Sequence, residues 1–278
     1  MEIIVTGANV YIGAHIVEKL YESGHHVFAI DRNNTRLPNG VEFINVDIFN
    51  KTEVDSLPNN VDAVLHLAWV DGFNHNSLSH IELLPLHFSF LRQCVEKGSK
   101  RLVVMGTMHE VGYWEGAIDE HTPTRPLSYY GIAKNTLRDL VSTYCKTNNI
   151  PWQWLRAYYI TGDDSSSHSI FSKILQWDKE GKTSFPFTDG SMQYDFLDIH
   201  QLATQIVRAC TQNEVLGIIN VCSGQPVSIK DKVEDFIKAN HLSIRPEYGV
   251  FPKRPYDSPC VYGDAKKISD IMTKAEDN

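Results

Sequence analysis

Tyr130 and Lys134 are the two residues whose types and spacing point most directly to chemistry. On a helix, residues four apart lie on one face, so the phenol and the amine can address the same place. A phenol has an unperturbed pKa near ~10 and exchanges protons poorly at neutral pH. Because a neighbouring cation favours the phenolate, we expect Lys134 to lower the pKa of Tyr130 toward the working range. A Tyr-x-x-x-Lys pair also recurs by chance on amphipathic helices, so the spacing alone does not establish a site.

A third polar side chain, Thr107, follows an apolar strand predicted over residues 102–106. Ligands of open α/β sheets bind at the carboxyl ends of parallel strands, which is where this hydroxyl would lie. A threonine in this position can also simply cap the turn that follows. Because Tyr130 and Lys134 lie downstream, we favour a catalytic set made of Thr107, Tyr130 and Lys134.

The amino terminus carries a pattern typical of dinucleotide binding. An apolar run at residues 3–5 predicts a buried strand, Gly7 permits a tight turn, and Gly13 lets the following helix pack closely on that strand. The free amides at the start of the helix form a site for a pyrophosphate. The next strand ends in Asp31, an acid suited to the ribose hydroxyls of an adenosine. Val10 stands where the middle glycine is usual, and a plain strand–helix turn is the alternative interpretation.

Composition limits the class of function. The chain has 278 residues and a net charge of −8 without a basic stripe, so we do not expect nucleic acid as a partner. Its five cysteines are scattered and form no Cys-x-x-Cys pair, which predicts reduced thiols rather than disulfides or zinc ligands. No apolar stretch approaches the ~18 residues of a membrane span, and the sequence starts directly with a strand rather than a signal peptide. We therefore expect a cytoplasmic protein without a metal site or a membrane partner.

Strand-like apolar runs alternate with helical patterns as far as about residue 156, near residues 2–6, 26–30, 41–46, 61–67, 101–106 and 152–156. This alternation predicts an α/β fold with a Rossmann-type doubly wound parallel sheet. We expect residues 1–162 to form the dinucleotide-binding domain and residues 163–278 to form mainly a small C-terminal substrate-binding lobe. Segments around residues 195–222, above all an apolar run at 218–221, are candidates to complete the main sheet.

Together, these motifs resemble those of the extended short-chain dehydrogenases/reductases, in the NAD-dependent epimerase/dehydratase family that acts on nucleotide sugars. The resemblance runs through nearly the whole chain, and its landmarks follow in the family's order. They are Thr6, Gly7 and Gly13, then Val46-Asp47-Ile48, His66-Leu67-Ala68, Gly106-Thr107, Tyr130 with Lys134, Leu155-Arg156, Asp195-Phe196-Leu197-Asp198-Ile199 and Arg254.

The resemblance implies a role for each landmark. Tyr130 would exchange a proton with a sugar oxygen, Thr107 would hydrogen-bond the same oxygen, and Lys134 would hold the nicotinamide ribose. The implied cofactor contacts are Gly7, Asn9, Val10, Tyr11, Ile12, Gly13, Asp31, Arg32, Asp47, Ile48, Leu67 and Ala68, together with Tyr130 and Lys134. The implied substrate contacts are Met108, His109, Tyr159 and Arg254.

The predicted cofactor is NAD, with NADP left open. Asp31 would repel a 2′-phosphate and so favours NAD, whereas Arg32 and Arg36 follow it closely and could receive that phosphate. The resemblance also implies a homodimer, for which the stretches 78–97 and 126–144 are candidate contact surfaces; both could equally be ordinary core-facing helices.

The expected reaction follows from the residues that match the family's pattern and from those that depart from it. Tyr194 stands where many UDP-sugar epimerases of this group carry an arginine, which weakens the case for UDP-hexose epimerisation. We expect an NAD(P)-dependent reductase of a 4-keto-6-deoxy-hexose carried by dTDP or GDP, with a nucleotide-sugar 4-epimerase as the alternative. A dehydratase is less favoured, because Met108 and His109 follow Thr107 where that subgroup usually carries an Asp-Glu pair. A non-catalytic NAD(P)-binding sensor is the alternative from another class.

Overall fold

The computed structural model describes residues 1–162, 170–252 and 258–276. The strands are β1 (Glu2–Thr6), β2 (His26–Ile30), β3 (Glu42–Ile44), β4 (Ala63–His66), β5 (Leu102–Thr107), β6 (Gly116–Ile118), β7 (Trp152–Ala157), β8 (Tyr159–Thr161), β9 (Ser184–Pro186), β10 (Gln193–Asp198), β11 (Gly217–Val221), β12 (Pro226–Ser228), β13 (Arg245–Glu247) and β14 (Cys260–Gly263). The helices are α1 (Tyr11–Glu22), α2 (Lys51–Val54), α3 (Ser79–Glu82), α4 (Leu84–Glu96), α5 (Tyr129–Asn148), α6 (Ile170–Lys179), α7 (Ile199–Thr211), α8 (Ile229–Ala239) and α9 (Lys266–Glu276). A short 3-10 turn, Met108–Glu110, follows β5.

Seven parallel strands form the main sheet, in the order β11-β7-β5-β4-β1-β2-β3. From β1, inside the sheet, the chain first builds outward to β2 and β3, and then returns to build β4, β5, β7 and β11 on the other side. The central strands are short apolar runs covered on both faces; Ile3, Ile4 and Val5 are at most 1% exposed. The predicted Rossmann-type doubly wound sheet is therefore confirmed, and the apolar run at 218–221 lies in β11 at its edge.

Helices cover both faces of this sheet. On one face, Ile16 of α1 and Leu202 of α7 belong to the same buried cluster as Val5. On the other face, Leu137 of α5 belongs to the cluster that contains Ile4. Neighbouring residues of β1 join different clusters because successive side chains of a strand point to opposite faces. Within the described ranges, no helix combines the length and the apolar character needed to cross a membrane.

A smaller sheet stands beside the main one, in the order β12-β10-β14-β6, with β8 also paired to β10. Two of its strands, β6 and β8, precede residue 162, so this lobe draws on both sides of the predicted domain boundary. Asp195 of β10 is fully buried, and its carboxylate accepts hydrogen bonds from Ser223 N at 2.8 Å, Gly224 N at 2.9 Å and Gly263 N at 3.1 Å. These bonds tie β10 to the segment after β11 and to β14.

Candidate active site

The carboxyl ends of β1, β4 and β5 bring the predicted residues to one edge of the sheet. Gly7 follows β1, Ala68 follows β4 closely, and Thr107 ends β5. Thr6 Oγ1 lies 2.7 Å from His66 Nδ1 and accepts a hydrogen bond from Ala68 N at 3.3 Å. These contacts hold the ends of β1 and β4 together at this edge of the sheet.

A cleft of about 230 Å³ opens beside this edge. Gly7 has a φ of +68°, and a Cβ on it would lie 2.8 Å from Ala68 N, so the turn leaves no room for a side chain. A Cβ on Gly13 would lie 1.9 Å from Gly7 O, which shows how closely α1 approaches the turn. The predicted cofactor residues that line the cleft are Gly7, Val10, Asp31, Arg32, Asp47, Ile48 and Ala68.

Val10, in the place of the middle glycine, precedes the first residue of α1. Its φ of −75° and ψ of 166° are open to any L-residue, so the substitution needs no glycine-like backbone. Its side chain is half exposed and does not cap the helix. The amides at the start of α1 therefore keep the capacity to bind an anion, and the pyrophosphate site there stays a prediction.

Asp31 and Asn9 hold the end of the cleft where the sequence predicts an adenosine. The Asp31 carboxylate accepts hydrogen bonds from Asn9 N at 2.9 Å and from Arg32 N at 2.7 Å. The Asn9 side chain accepts from Arg36 N at 2.7 Å and also donates to Asn33. Asn9 therefore shapes the cleft indirectly, because its side chain fixes the position of the loop after β2. Four other predicted cofactor residues do not line the cleft: Leu67 is buried in the core, Tyr11 and Ile12 pack against that core, and Gly13 is buried in α1.

Thr107 and Tyr130 lie next to each other at this edge of the sheet. Ser128 caps α5 by accepting a hydrogen bond from Gly131 N at 3.2 Å, and this fixes Tyr130 in the first turn of the helix. The hydroxyls of Thr107 and Tyr130 are hydrogen-bonded to each other. Burial raises the pKa of Tyr130 to about 12, although the hydrogen bond with Thr107 acts in the opposite direction.

Lys134 lies one turn after Tyr130 and is only 3% exposed. Its Nζ donates to Met105 O at 2.8 Å and lies 3.9 Å from the centre of the Trp69 ring. Burial lowers the pKa of Lys134 to about 7, and the charge of Glu110 acts against that shift. The amine is thus only partly charged at neutral pH.

This geometry corrects one expectation from the sequence. We expected the cation on Lys134 to lower the pKa of Tyr130, but in this structure that pKa is raised. The physical reason is burial, which disfavours the charged form of both groups, and the Lys134 charge is not among the causes that act on the pKa of Tyr130.

Sequence reasoning missed an aromatic enclosure around Tyr130. The His75 ring stacks on the Tyr130 ring with centres 4.9 Å apart and an angle of 17°, and His75 O accepts a hydrogen bond from Tyr130 N at 2.9 Å. Trp69 Nε1 donates to His80 Nδ1 at 3.0 Å. These three residues follow the carboxyl end of β4, a position that could have marked them as candidates. Despite these histidines, the described ranges contain no group of three or more potential ligands that could hold a metal ion.

The predicted substrate contacts fall in different places. His109 lies at the site, with its ring centre 4.4 Å from that of His75, and burial lowers its pKa to about 4. Met108 is instead buried in the core, because the 3-10 turn directs its side chain inward. Tyr159 packs on Tyr194 in the small lobe, with ring centres 4.5 Å apart. Arg254 lies outside the described residues.

Comparison with known proteins identifies the family. The model of the NAD dependent epimerase/dehydratase family matches residues 3–222. The chain belongs to this family. The dTDP-6-deoxy-L-talose 4-dehydrogenase (NAD(+)) of Aggregatibacter actinomycetemcomitans is 45% identical to this family member over 95% of this chain and 99% of its own length. A putative UDP-glucose 4-epimerase of Methanocaldococcus jannaschii is 26% identical over 99% of this chain and 93% of its own length.

A solved structure agrees with the fold of this family member. The UDP-glucose 4-epimerase of Thermus thermophilus in complex with NAD has a TM-score of 0.80, 24% sequence identity, and coverage of 97% of this chain and 92% of its own. Family membership confirms the predicted family, the predicted enzyme class and the predicted use of NAD. The cleft fits that cofactor, since Gly7 leaves its floor open and the Asp31 carboxylate is held at its far end.

Proposed function

We propose that the protein interconverts a hydroxyl and a keto group at C4 of a dTDP-linked 6-deoxy-hexose, with NAD as the hydride carrier. The observation that carries this proposal is the 45% identity to the dTDP-6-deoxy-L-talose 4-dehydrogenase, which extends over 95% of the chain. The name of that relative describes the oxidation, and reduction of the 4-keto sugar is the same reaction in reverse. The relative gives no support to a GDP carrier or to NADP, which the sequence left open.

The residues at the sheet edge support the proton transfer that this reaction needs. When bound, NAD supplies or accepts the hydride at the sugar carbon. In reduction, Tyr130 donates its hydroxyl proton to the carbonyl oxygen, and the Tyr130–Thr107 hydrogen bond supports a role for Thr107 in holding the same oxygen. In oxidation, Tyr130 acts as the phenolate and takes the proton from the sugar hydroxyl. Lys134, one turn along α5, offsets the phenolate charge when it is protonated.

The test is turnover of dTDP-4-keto-6-deoxy-sugars with NADH, followed by nicotinamide absorbance. Consumption of one NADH per sugar supports the proposal. Tyr130→Phe removes only the hydroxyl, so we expect a loss on the order of 10²–10⁴ in kcat. Tyr129→Phe is the matched control, because its exposed ring precedes Tyr130 on the same helix and should leave kcat unchanged. Full activity of Tyr130→Phe would reject this catalytic assignment.

A nucleotide-sugar 4-epimerase is the second candidate. The 26% identity of the putative UDP-glucose 4-epimerase over 99% of this chain favours it. An epimerase returns the hydride to the same sugar, so it would interconvert two sugars without net consumption of NADH. The same assay, with product analysis by NMR, therefore separates the two reactions. The sensor hypothesis loses its basis, because the relative with 45% identity is a dehydrogenase.

We also propose that the protein is a cytoplasmic homodimer. Exposed apolar side chains lie along α3, α4 and α5 and on the segment before α5, at Ile81, Leu86, Leu127, Ile132 and Leu140. We call these five residues the helical patch. A second copy of the chain would cover it. All five cysteines are free thiols, which is in keeping with a reducing compartment.

A further inference from the structure

Glu110 occupies a fully buried position directly beneath the proposed catalytic residues. Its Oε1 accepts hydrogen bonds from Thr107 N and from Trp154 Nε1, both at 2.7 Å. Its Oε2 lies 3.3 Å from Arg138 Nη1 and 3.6 Å from Arg156 Nη2. A buried carboxylate is costly unless it is paired and hydrogen-bonded, and a buried ion-pair network that is replaced as a whole by well-packed apolar residues is often equally stable. Stability alone therefore does not require a charged network at this position.

The partners of Glu110 connect it to each proposed catalytic side chain. Thr107 and Glu110 form a reciprocal capping box, so Glu110 fixes the backbone from which the Thr107 hydroxyl reaches Tyr130. Arg138 lies one turn after Lys134 on α5, and on its exposed side it pairs with Asp139 at 2.8 Å. Only glycine fits at position 106, because a Cβ on Gly106 would lie 2.1 Å from Trp154 Nε1. The indole that donates to Glu110 is therefore packed against the strand that ends in Thr107.

The charge of Glu110 acts on both titrating groups of the site. It raises the pKa of Tyr130 and, against the stronger effect of burial, that of Lys134. The two arginines beneath partly balance it. The other titratable side chains that lie around Tyr130 and Lys134 come from β4, the segment after it, α3, α4 and the 3-10 turn: His66, His75, His80, His87 and His109.

We propose that Glu110 is a positioning residue that fixes Thr107 beside Tyr130 and, balanced by Arg138, sets the charge beneath Tyr130 and Lys134. This inference rests on the proposed proton transfer by Tyr130. Glu110 touches neither sugar nor cofactor in this scheme.

Two substitutions that change the local charge in opposite directions test the proposal. Glu110→Gln keeps the shape and an acceptor oxygen but removes the negative charge, so the pKa of Tyr130 should fall. Arg138→Gln keeps a donor toward Glu110 but removes a positive charge, so the pKa of Tyr130 should rise. The readout is the pH profile of kcat for oxidation of the dTDP-6-deoxy-sugar by NAD, which rises with pH as the phenolate forms. We expect the rising limb to move by on the order of one pH unit, downward in the first variant and upward in the second.

A third variant guards against loss of folding in the first two. Asp139→Asn leaves the buried carboxylate in place and frees Arg138 from its exposed partner, so its limb should move slightly downward. A purely structural role would lower kcat alike at every pH and leave all three limbs where they are in the parent protein. Unshifted limbs, with Tyr130→Phe inactive, would overturn the role of Glu110 alone. Activity of Tyr130→Phe would overturn both this inference and the proposed function.

Discussion

At the scale of one residue, Lys134 is needed for the proposed function, but its buried amine lowers the stability of the folded protein. Its amine is buried against Trp69 and Met105 O, and its pKa falls from 10.5 to about 7. Between these values the unfolded chain holds a proton that the folded protein has lost. Because stability rises with pH wherever the unfolded state binds more protons, this lysine makes folding least favourable at and below pH 7.

We therefore predict that Lys134→Met abolishes turnover but stabilises the protein. The expected gain in the free energy of unfolding is on the order of 2–4 kcal/mol at pH 7, and the gain should shrink as the pH approaches 10. Urea unfolding at pH 7 and at pH 9.5 measures both values. Lys146→Met, at an exposed position near the end of the same helix, is the control and should change little. A variant that is less stable than the parent at pH 7 would contradict this account of Lys134.

The pair of Tyr130 and Lys134 was predictable, because a helix places residues four apart on one face whatever surrounds it. Their neighbours were not. His75 and Trp69 reach Tyr130 and Lys134 from the segment after β4, and Glu110 reaches Arg138 across the helix–sheet boundary. Such contacts depend on how elements pack, which local spacing does not contain. The same limit explains the raised pKa of Tyr130, since the degree of burial is a property of the assembled site.

At the scale of elements, the junction of β1 and α1 sets the geometry of the cofactor cleft. A Cβ on Gly13 would lie 1.9 Å from Gly7 O, which is backbone and has no freedom to turn away. Gly13→Ala must therefore push α1 off the turn and misplace the amides at its start. We predict a loss of roughly 1–3 kcal/mol in the free energy of unfolding and weaker binding of NAD, by about tenfold or more. Calorimetric titration with NAD and thermal unfolding measure the two effects.

Gly72→Ala is the matched control for that substitution. A Cβ on Gly72 would meet nothing within 4 Å, although the residue lies in the segment after β4 that borders the same site. We expect NAD affinity and stability close to those of the parent. If Gly13→Ala behaved in the same way, the close approach of α1 to the turn would not be what shapes the cleft.

Continuous buried runs made the elements of the main sheet predictable, whereas the three-residue strands of the lobe were not predicted. Strands β1, β2, β4, β5 and β7 are continuous runs buried on both faces, and such runs show in the sequence. Strands β6 and β8 have three residues each and depend on β14 and β10 for their pairing. A three-residue run carries too little pattern to separate a strand from a turn. The lobe thus gains its first strands from before residue 162, where the sequence predicted only the nucleotide-binding domain.

At the scale of the whole molecule, buried polar groups connect the two sheets by hydrogen bonds. Asp195 binds amides from the segment after β11 and from β14, and Asn220 Nδ2 in β11 donates to Ile118 O in β6 at 2.7 Å. Both residues therefore link the nucleotide-binding sheet to the lobe that we expect to hold the sugar.

The surface of the molecule carries the last prediction. Ile132 and Leu140 of the helical patch are exposed on α5, on the side away from its buried residues Leu137 and Val141. Burying about 800 Å² on each partner is typical of a stable pair. We predict that the parent sediments as two chains of 31.6 kDa and that Ile132→Glu with Leu140→Glu sediments as one. Val227→Glu, exposed in the small lobe, should stay paired. A parent of one chain, or a double variant that remains paired, would remove the helical patch as the interface.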